Sequence, residues 1–162
     1  KVSDYIMTVD ANHKVDFGTP DKIFTQERIC KLYNLTEGAY DVNTGSVELK
    51  KNIGEPKVLV LGGAGCGIPY YRELSRKRIP FATGVIYEND IDYPSAIALA
   101  TQVVSEKPFC EISDTAMDKM YKLAENVEYI IDAGCPVGDI NMKINLLREY
   151  GKSNFKLEKS IK

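Results

Sequence analysis

Between residues 57 and 151, short apolar runs alternate with amphipathic stretches. Val58–Leu61 is a continuous apolar run, as expected for a strand that is buried on both faces. Further apolar runs lie at 81–87, 103–104 and 129–131, and helical patterns separate them. Strand–helix repetition of this kind forms a parallel sheet with right-handed crossovers. We therefore predict a small, doubly wound, Rossmann-like α/β domain with four strands in the order 3-2-1-4.

Helix-capping residues support this division of the chain. Ser113 precedes a segment whose apolar residues recur at helical spacing, at positions 116, 117, 120, 121 and 124. Asp92 is expected to open an earlier helix and Asp139 to cap the last one, which Gly151 should end. The tail, residues 152–162, is polar and rich in Lys, and we expect it to be frayed.

The first 36 residues have a different pattern. Two extended segments flank the polar turn at 10–14, and Gly18 precedes two short helical segments. Thr19 fits an N-cap, and Pro20 fits the first helical position, where no backbone N–H is needed. We expect residues 37–56 to form a small hairpin, with its turn at 43–45, followed by a linker.

This opening stretch, with its Gly18–Thr19–Pro20 sequence, resembles the end of the ATP-binding subunit of ABC transporters. The similarity is closest to importers of iron-siderophore, haem or cobalamin type. Together with the start on Lys1 rather than Met, it implies a C-terminal fragment of such a subunit. The resemblance further implies transmembrane permease subunits as partners, a peripheral location on the cytoplasmic face of the cell membrane, and ATP and Mg bound by a preceding domain.

The chain itself lacks the motifs of ATP hydrolysis. It contains no G-x-x-x-x-G-K-[ST] phosphate loop, and the Walker B, signature and switch-His elements of the family are absent as well. The single His, His13, lies in a polar turn. We therefore expect no catalysis by this chain alone and no cofactor bound to it.

Composition restricts the partners. A net charge of −2 and a pI near 5.5 give no electrostatic basis for binding nucleic acid. The four Cys lack C-x-x-C spacing, which favours a reducing cytosol over a disulfide framework. A homodimer and a small-molecule ligand remain compatible with the sequence.

A glycine-rich segment, G-G-x-G-x-G, follows the first strand of the α/β domain. Ligands of open α/β sheets bind beyond the carboxyl ends of the strands, where the strand order reverses. The alternative is a tight turn with no ligand, and the order of the glycines is not that of dinucleotide folds. The acids after the second strand fit an N-cap as well as a ligand site, and they disfavour phosphate. The candidate ligand-binding residues are Gly62, Gly63, Gly65, Cys66, Gly67, Glu88, Asp90, Asp92, Gly134, Cys135, Gly138 and Asp139.

Three cysteines, Cys66, Cys110 and Cys135, are predicted to lie in loops at this same edge of the sheet. Three converging thiolates would suit a soft metal or an iron–sulfur species. The alternative is that they are small buried hydrophobic residues, since no His completes a zinc set.

The α/β region resembles the C-terminal extension of some iron- and cobalamin-type ABC ATPases. The similarity lies in Val58–Leu61 with the glycines after it, 82–85, 90–92, 106–109 and 134–138. It implies a regulatory domain, and the placement of the loops at the glycine-rich edge leads to the hypothesis that this domain senses a small ligand. Two alternatives remain open, a structural dimerisation module and a small Rossmann-like enzyme that uses Cys66 or Cys135 with the acids of 88–92.

Overall fold

A computed structural model of the chain describes residues 3–10, 12–33, 40–41, 46–47, 51–154 and 156–161. The chain forms two compact units, residues 1–50 and 51–162. The boundary between them falls inside the segment predicted as hairpin and linker. The turn predicted at 43–45 lies outside the described residues.

The first unit contains two antiparallel hairpins and two short helices. Thr25 caps the second helix by accepting a hydrogen bond from the Arg28 amide. Pro20 occupies the start of the first helix, as predicted, but the Thr19 side chain makes no capping bond. The elements are β1 (Ile6–Val9), β2 (Val15–Gly18), α1 (Pro20–Ile23), α2 (Gln26–Leu32), β3 (Tyr40–Asp41) and β4 (Ser46–Val47).

The second unit is built on a five-stranded parallel sheet, which confirms the α/β, Rossmann-like prediction. The strand order is β7-β6-β5-β8-β9. The first four of these strands reproduce the predicted order 3-2-1-4, and β9 is an addition. The elements are β5 (Val58–Leu61), α3 (Ile68–Arg76), β6 (Phe81–Tyr87), α4 (Tyr93–Leu99), β7 (Gln102–Glu106), α5 (Asp114–Asn126), β8 (Tyr129–Asp132), α6 (Ile144–Ser153) and β9 (Leu157–Glu158).

Apolar side chains cover both faces of this sheet. Leu59 and Leu61 belong to the core under α5 and α6, whereas Val58 and Val60 belong to the core under α3 and α4. All of Val58–Leu61 is fully buried, so β5 is the centre of the domain. Because β5 is covered on both faces, its only access to ligand is at its ends.

The C-terminal part of the chain differs from the prediction. Gly151 does not end the last helix, since α6 runs through it to Ser153. Gly151 is buried, and a side chain there would press against Leu157. The tail is not wholly frayed either, because Leu157 pairs with Ile130 as part of β9. A chain that returns to the sheet edge needs a small residue at the crossing, and Gly151 supplies it.

The two predicted helix caps have different outcomes. Asp92 opens α4, as predicted, but its side chain makes no capping hydrogen bond. Asp139 belongs to a 3₁₀ turn, Asp139–Asn141, that precedes α6 and is separate from it.

No helix among the described residues has the length and apolar character needed to cross a bilayer.

Candidate functional site

The candidate site lies at the carboxyl edge of the sheet, between β5 and β8. The strand order reverses here, so the loop after β5 and the loop after β8 diverge on opposite faces. We call the space between residues 62–67 and residues 132–138 the crevice. The loop after β6, which carries Asp90 and Asp92, forms its third side.

The Asp92 side chain hydrogen-bonds to the backbone of residues 62–67, which we call the glycine loop. Its Oδ2 accepts hydrogen bonds from the amides of Gly63, at 2.6 Å, and Gly67, at 2.9 Å. The side chain is fully buried, and Oδ1 has no hydrogen-bond partner among the described residues. Burial raises the pKa of the Asp92 carboxyl, and the two amide bonds oppose that rise. Asp92 is therefore a positioning residue of the loop rather than a helix cap.

The Asp90 side chain also accepts a hydrogen bond from the glycine loop. Both of its carboxylate oxygens accept from the Ala64 amide, at 3.0 and 2.8 Å. Its Oδ1 also accepts from the Asp92 amide at 2.9 Å, which fixes the turn after β6. The Cys66 amide donates within the loop to the Gly63 carbonyl at 3.1 Å. Most of the donors that an anion would use are thus already occupied.

The glycines of the loop are explained largely by internal packing. A side chain at Gly62 or Gly67 would overlap the Tyr71 hydroxyl, and one at Gly63 would approach Cys135 Sγ to 2.8 Å. Gly65 instead has a φ of +87°, a backbone conformation that favours glycine. The turn alternative from the sequence therefore accounts for these residues without a ligand.

Tyr71 is the residue that the sequence did not single out in this role. It is fully buried, and its hydroxyl lies 2.8 Å from Thr83 Oγ1, which donates in turn to the Val60 carbonyl. Burial and the neighbouring Asp92 raise its pKa well above the ordinary value of 10.0. The sequence signal was available, since Tyr71 follows Gly67 by one helical turn.

Two of the three loop cysteines lie at the crevice. Cys66 Sγ lies 3.8 Å from the Gly134 carbonyl, and Cys135 Sγ lies beside Gly63. Burial raises the pKa of the Cys135 thiol to about 11, with a further rise from Asp90. A thiol in this state is protonated at neutral pH and is a poor nucleophile.

The third cysteine does not join them. Cys110 is exposed on the loop after β7, where its carbonyl accepts from the Tyr87 hydroxyl at 2.9 Å. The part of the chain that the structure describes contains no group of three or more His, Cys, Asp or Glu side chains placed to hold a metal ion. Among the described residues the three thiols therefore do not converge, and the soft-metal alternative that the sequence left open has no support there.

An ion pair that the sequence did not predict borders the crevice. Arg148 Nη2 donates to Asp132 Oδ1 at 3.0 Å and to the Cys135 carbonyl at 2.8 Å. Its Nε lies 3.0 Å from Asp132 Oδ2, as an ion-pair contact without hydrogen-bond geometry. Arg148 thereby joins α6 to the end of β8 and neutralises the acid there.

The β8 side of the crevice carries two glycines, Gly134 and Gly138, that are exposed to solvent. A side chain built at Gly134 or at Gly138 would meet no atom within 4 Å. Gly134 has a φ of +82°, which favours glycine, whereas Gly138 has an extended backbone that any residue can adopt. Gly138 is therefore a position where a larger side chain can fill space without strain.

Two of the predicted site residues lie apart from the glycine loop. Glu88 is exposed at the end of β6, where its amide donates to the Glu106 carbonyl. Asp139 is exposed in the 3₁₀ turn. Neither has a recorded bond to the loop.

Two open hollows are lined by other residues. An open hollow of about 480 Å³ in the first unit is lined by β2 and α2 residues such as Asp16 and Arg28. Another, of about 740 Å³, lies beside β7 and α5.

Comparison with known proteins gives one match. Residues 81–158 match the family described as the MJ0874 family. The matching segment runs from β6 to β9 and leaves out β5 and the glycine loop. No curated protein and no solved structure matches the chain significantly.

Proposed function

We propose that residues 51–161 form a regulatory domain that senses a small, uncharged or cationic ligand at the crevice. The observation that carries this proposal is the solvent-exposed loop of Gly134 and Gly138, which lies beside the glycine loop at the point where strand order reverses. This is the position at which open α/β sheets bind ligands. The half-buried Cys66 and the Gly134 carbonyl offer polar contacts there.

The charges around the crevice decide the class of ligand. The amides of Gly63, Ala64 and Gly67 are occupied by the carboxylates of Asp90 and Asp92, so an anion would have to displace an acid from the loop. The cation nearest the β8 side, Arg148, is already paired with Asp132. An anionic ligand therefore meets negative charge and few free donors, whereas a neutral or cationic ligand does not.

We further propose that this domain regulates an importer of the ABC class for iron complexes or cobalamin, as the resemblance implies. The first unit supports this context. Its hairpin turns one apolar face outward, on which Tyr5 and Phe17 stack with ring centroids 5.3 Å apart. The exposed apolar side chains of the hairpin are Tyr5, Met7, Val9, Val15 and Phe17. Such a face suits a hairpin that packs on a larger ATPase domain, which would carry the ATP and Mg and contact the permease subunits.

A thermal-shift screen of the chain tests the sensor proposal. The panel should include corrinoids, haem, siderophores, Fe(II), Co(II), Zn(II), amines and nucleotides. A ligand at 100 times its dissociation constant adds about 2.7 kcal/mol, which raises the midpoint by several degrees. We expect a neutral or cationic compound to give this shift, and nucleotides to give none.

Gly138→Val is the blocking variant for this screen, because it fills the open space on an unstrained backbone. Ser153→Val, exposed at the far end of α6, is the matched control. A shift lost in Gly138→Val and kept in Ser153→Val supports the crevice. A shift that survives Gly138→Val contradicts it. A flat screen with a concentration-dependent midpoint would favour the dimerisation module instead.

The transporter context needs its own test. An antibody against residues 51–161 should detect, in native cells, a polypeptide whose mass exceeds the 18.1 kDa of this chain. That polypeptide should sediment with membranes and hydrolyse ATP after purification. A band of about the mass of this chain in the soluble fraction would contradict the proposal.

The enzyme alternative has less support. A catalytic thiol needs a lowered pKa, and burial moves that of Cys135 the other way. The second unit contains no His, since the single His of the chain is His13 in the first unit. No observation at the crevice favours a reaction over binding.

A further inference from the structure

β7 is a free edge of the sheet. It pairs with β6 on one side, and no strand among the described residues pairs with it on the other. An edge strand presents unpaired N–H and C=O groups that another extended chain can use. β7 is also only half covered, since Val103 and Ser105 are partly exposed.

The hollow of about 740 Å³ runs beside this edge. It is bordered by the first half of β7 and by the second half of α5. Val104, which is buried, and Leu123, which is half-buried, give it an apolar floor, and Pro56 closes one end. A groove between an edge strand and a neighbouring helix is the geometry in which an extended peptide adds a strand to a sheet.

We call this hollow between β7 and α5 the groove. The charged side chains that line it are mainly positive. Lys119 and Lys122 lie one turn apart on α5 and are exposed, and neither forms an ion pair with any described residue. Glu55 is the one acid that lines this hollow. Other lysines of the same unit do pair with acids, namely Lys57 with Glu128, Lys77 with Glu73, Lys143 with Asp114, and Lys152 with Glu149.

We propose that the groove between β7 and α5 binds an extended, acidic peptide segment of a protein partner. The segment adds to β7 as a further strand and directs carboxylates to Lys119 and Lys122. Alternate side chains of a strand point to opposite faces of a sheet, so the acids would lie on the α5 face and the apolar residues between them on the α4 face, beside Val103. Main-chain bonds supply the affinity, and the two lysines supply the selectivity for acid.

A second copy of this chain is a less suitable occupant. Two copies that meet edge to edge about a two-fold axis present the same surface to each other. Lys119 and Lys122 of both copies would then share one interface, where like charges repel.

The groove is also distinct from the crevice, because Gln102 begins β7 and so lies at the opposite end of the sheet from the carboxyl edge.

The test is selection of short random peptides, displayed on phage, against the full chain. We expect enriched sequences in which Asp or Glu alternates with apolar residues. Their affinity should fall at least tenfold in Lys119→Glu/Lys122→Glu and should weaken with added salt. Lys77→Glu/Lys152→Glu carries the same change of charge on other helices and should bind as the unaltered chain does.

Hydrogen exchange locates the bound peptide. The amides of β7, residues 102–106, should exchange more slowly in the complex than in the free chain. The proposal is overturned if no sequence is enriched, if the enriched peptides bind equally well to Lys119→Glu/Lys122→Glu, or if protection falls outside β7 and α5. Protection of β7 that depends on protein concentration without peptide would assign the edge to a second copy and overturn it as well.

Discussion

The Asp92 carboxylate accepts a hydrogen bond of 2.6 Å from the Gly63 amide, 29 positions earlier in the chain. The same oxygen accepts from Gly67, so one buried acid fixes both ends of the glycine loop. A glycine-rich loop between a strand and a helix can direct its amides at a bound phosphate. Here a carboxylate from the same chain takes the place that the phosphate would occupy, and the loop is ordered without a ligand.

The first prediction concerns Asp92→Ala. This change leaves two buried amides without acceptors, at about 1–3 kcal/mol each. We expect a loss of several kcal/mol in the free energy of unfolding, measured by urea denaturation. Asp92→Asn keeps an acceptor for both amides and should be much less destabilising. Equal losses in the two variants would show that the amide bonds are not what the carboxylate contributes.

The pH dependence of Asp92 has a definite sign. Because burial raises its pKa in the folded state above the ordinary 3.8, the folded protein holds this proton more tightly than the unfolded chain does. The ionised form is therefore disfavoured by folding. Below its ordinary pKa, Asp92 is protonated in both states and its shifted pKa adds to the free energy of unfolding. This contribution is lost as the pH rises through the folded-state pKa. The stability of Asp92→Asn relative to the unaltered chain should accordingly rise as the pH is raised from about 3 to 7, and a fall would contradict this.

The second prediction concerns Gly62 and Tyr71. Gly62→Ala places a methyl group against the Tyr71 hydroxyl, and overpacking of this kind costs about 1–3 kcal/mol. Tyr71→Phe alone should lose about 1 kcal/mol, because Thr83 loses its bond to the hydroxyl. In the double variant the hydroxyl is gone, so the two losses should sum to more than the observed loss. Simple additivity in urea denaturation would mean that the Tyr71 hydroxyl is not what excludes a side chain at Gly62.

The sequence alone was sufficient to predict the sheet, but it was not sufficient to predict the contacts within the candidate site. The apolar run Val58–Leu61 and the helical spacing of α5 depend on local pattern and burial, and both were predicted correctly. The contacts of Asp92 with the glycine loop depend on how two loops meet after folding. An acid before a helix is an ordinary N-cap in sequence, and nothing local shows that it bonds elsewhere.

The C-terminal end was mispredicted for a related reason. Gly151 has the sequence signature of a helix end, but the buried crossing of Leu157 over it is a tertiary contact. The sequence predicted only that Cys66, Cys110 and Cys135 lie at one edge of the sheet, and it left open whether they converge. Cys110 lies on the far side of β6 from β8, so sharing an edge did not bring it to the other two.

The third prediction concerns the reactivity of the cysteines. At pH 8, a thiol of pKa about 11 is ionised on the order of 0.1%. We expect iodoacetamide to label the exposed Cys110 first and Cys135 far more slowly, as followed by peptide mass spectrometry. The rate at Cys135 should still rise at pH 10, and in denaturing urea all four thiols should react alike. A Cys135 rate that levels off near pH 8, or that exceeds the Cys110 rate, would be incompatible with this burial.

The fourth prediction concerns Lys156, which lies just before β9. Its ammonium group donates to the carbonyls of Ala124, Glu125 and Val127, at 2.9, 2.8 and 3.0 Å, and so satisfies the end of α5. A cation at this position also interacts favourably with the helix dipole. Lys156→Met keeps the apolar stem but removes the donor, and we expect it to lower the free energy of unfolding by about 1–3 kcal/mol.

Lys152→Met is the matched control for this prediction. Lys152 is exposed and forms a surface ion pair with Glu149, so its loss should cost no more than about 1 kcal/mol. Lys156→Arg retains a charged donor and should recover part of the stability that Lys156→Met loses. If the two Met variants unfold at the same urea concentration, the ammonium does not hold α5. The pairing of Leu157 and Glu158 with β8 would then be what keeps the C-terminal segment on the sheet, because that pairing is independent of the Lys156 side chain.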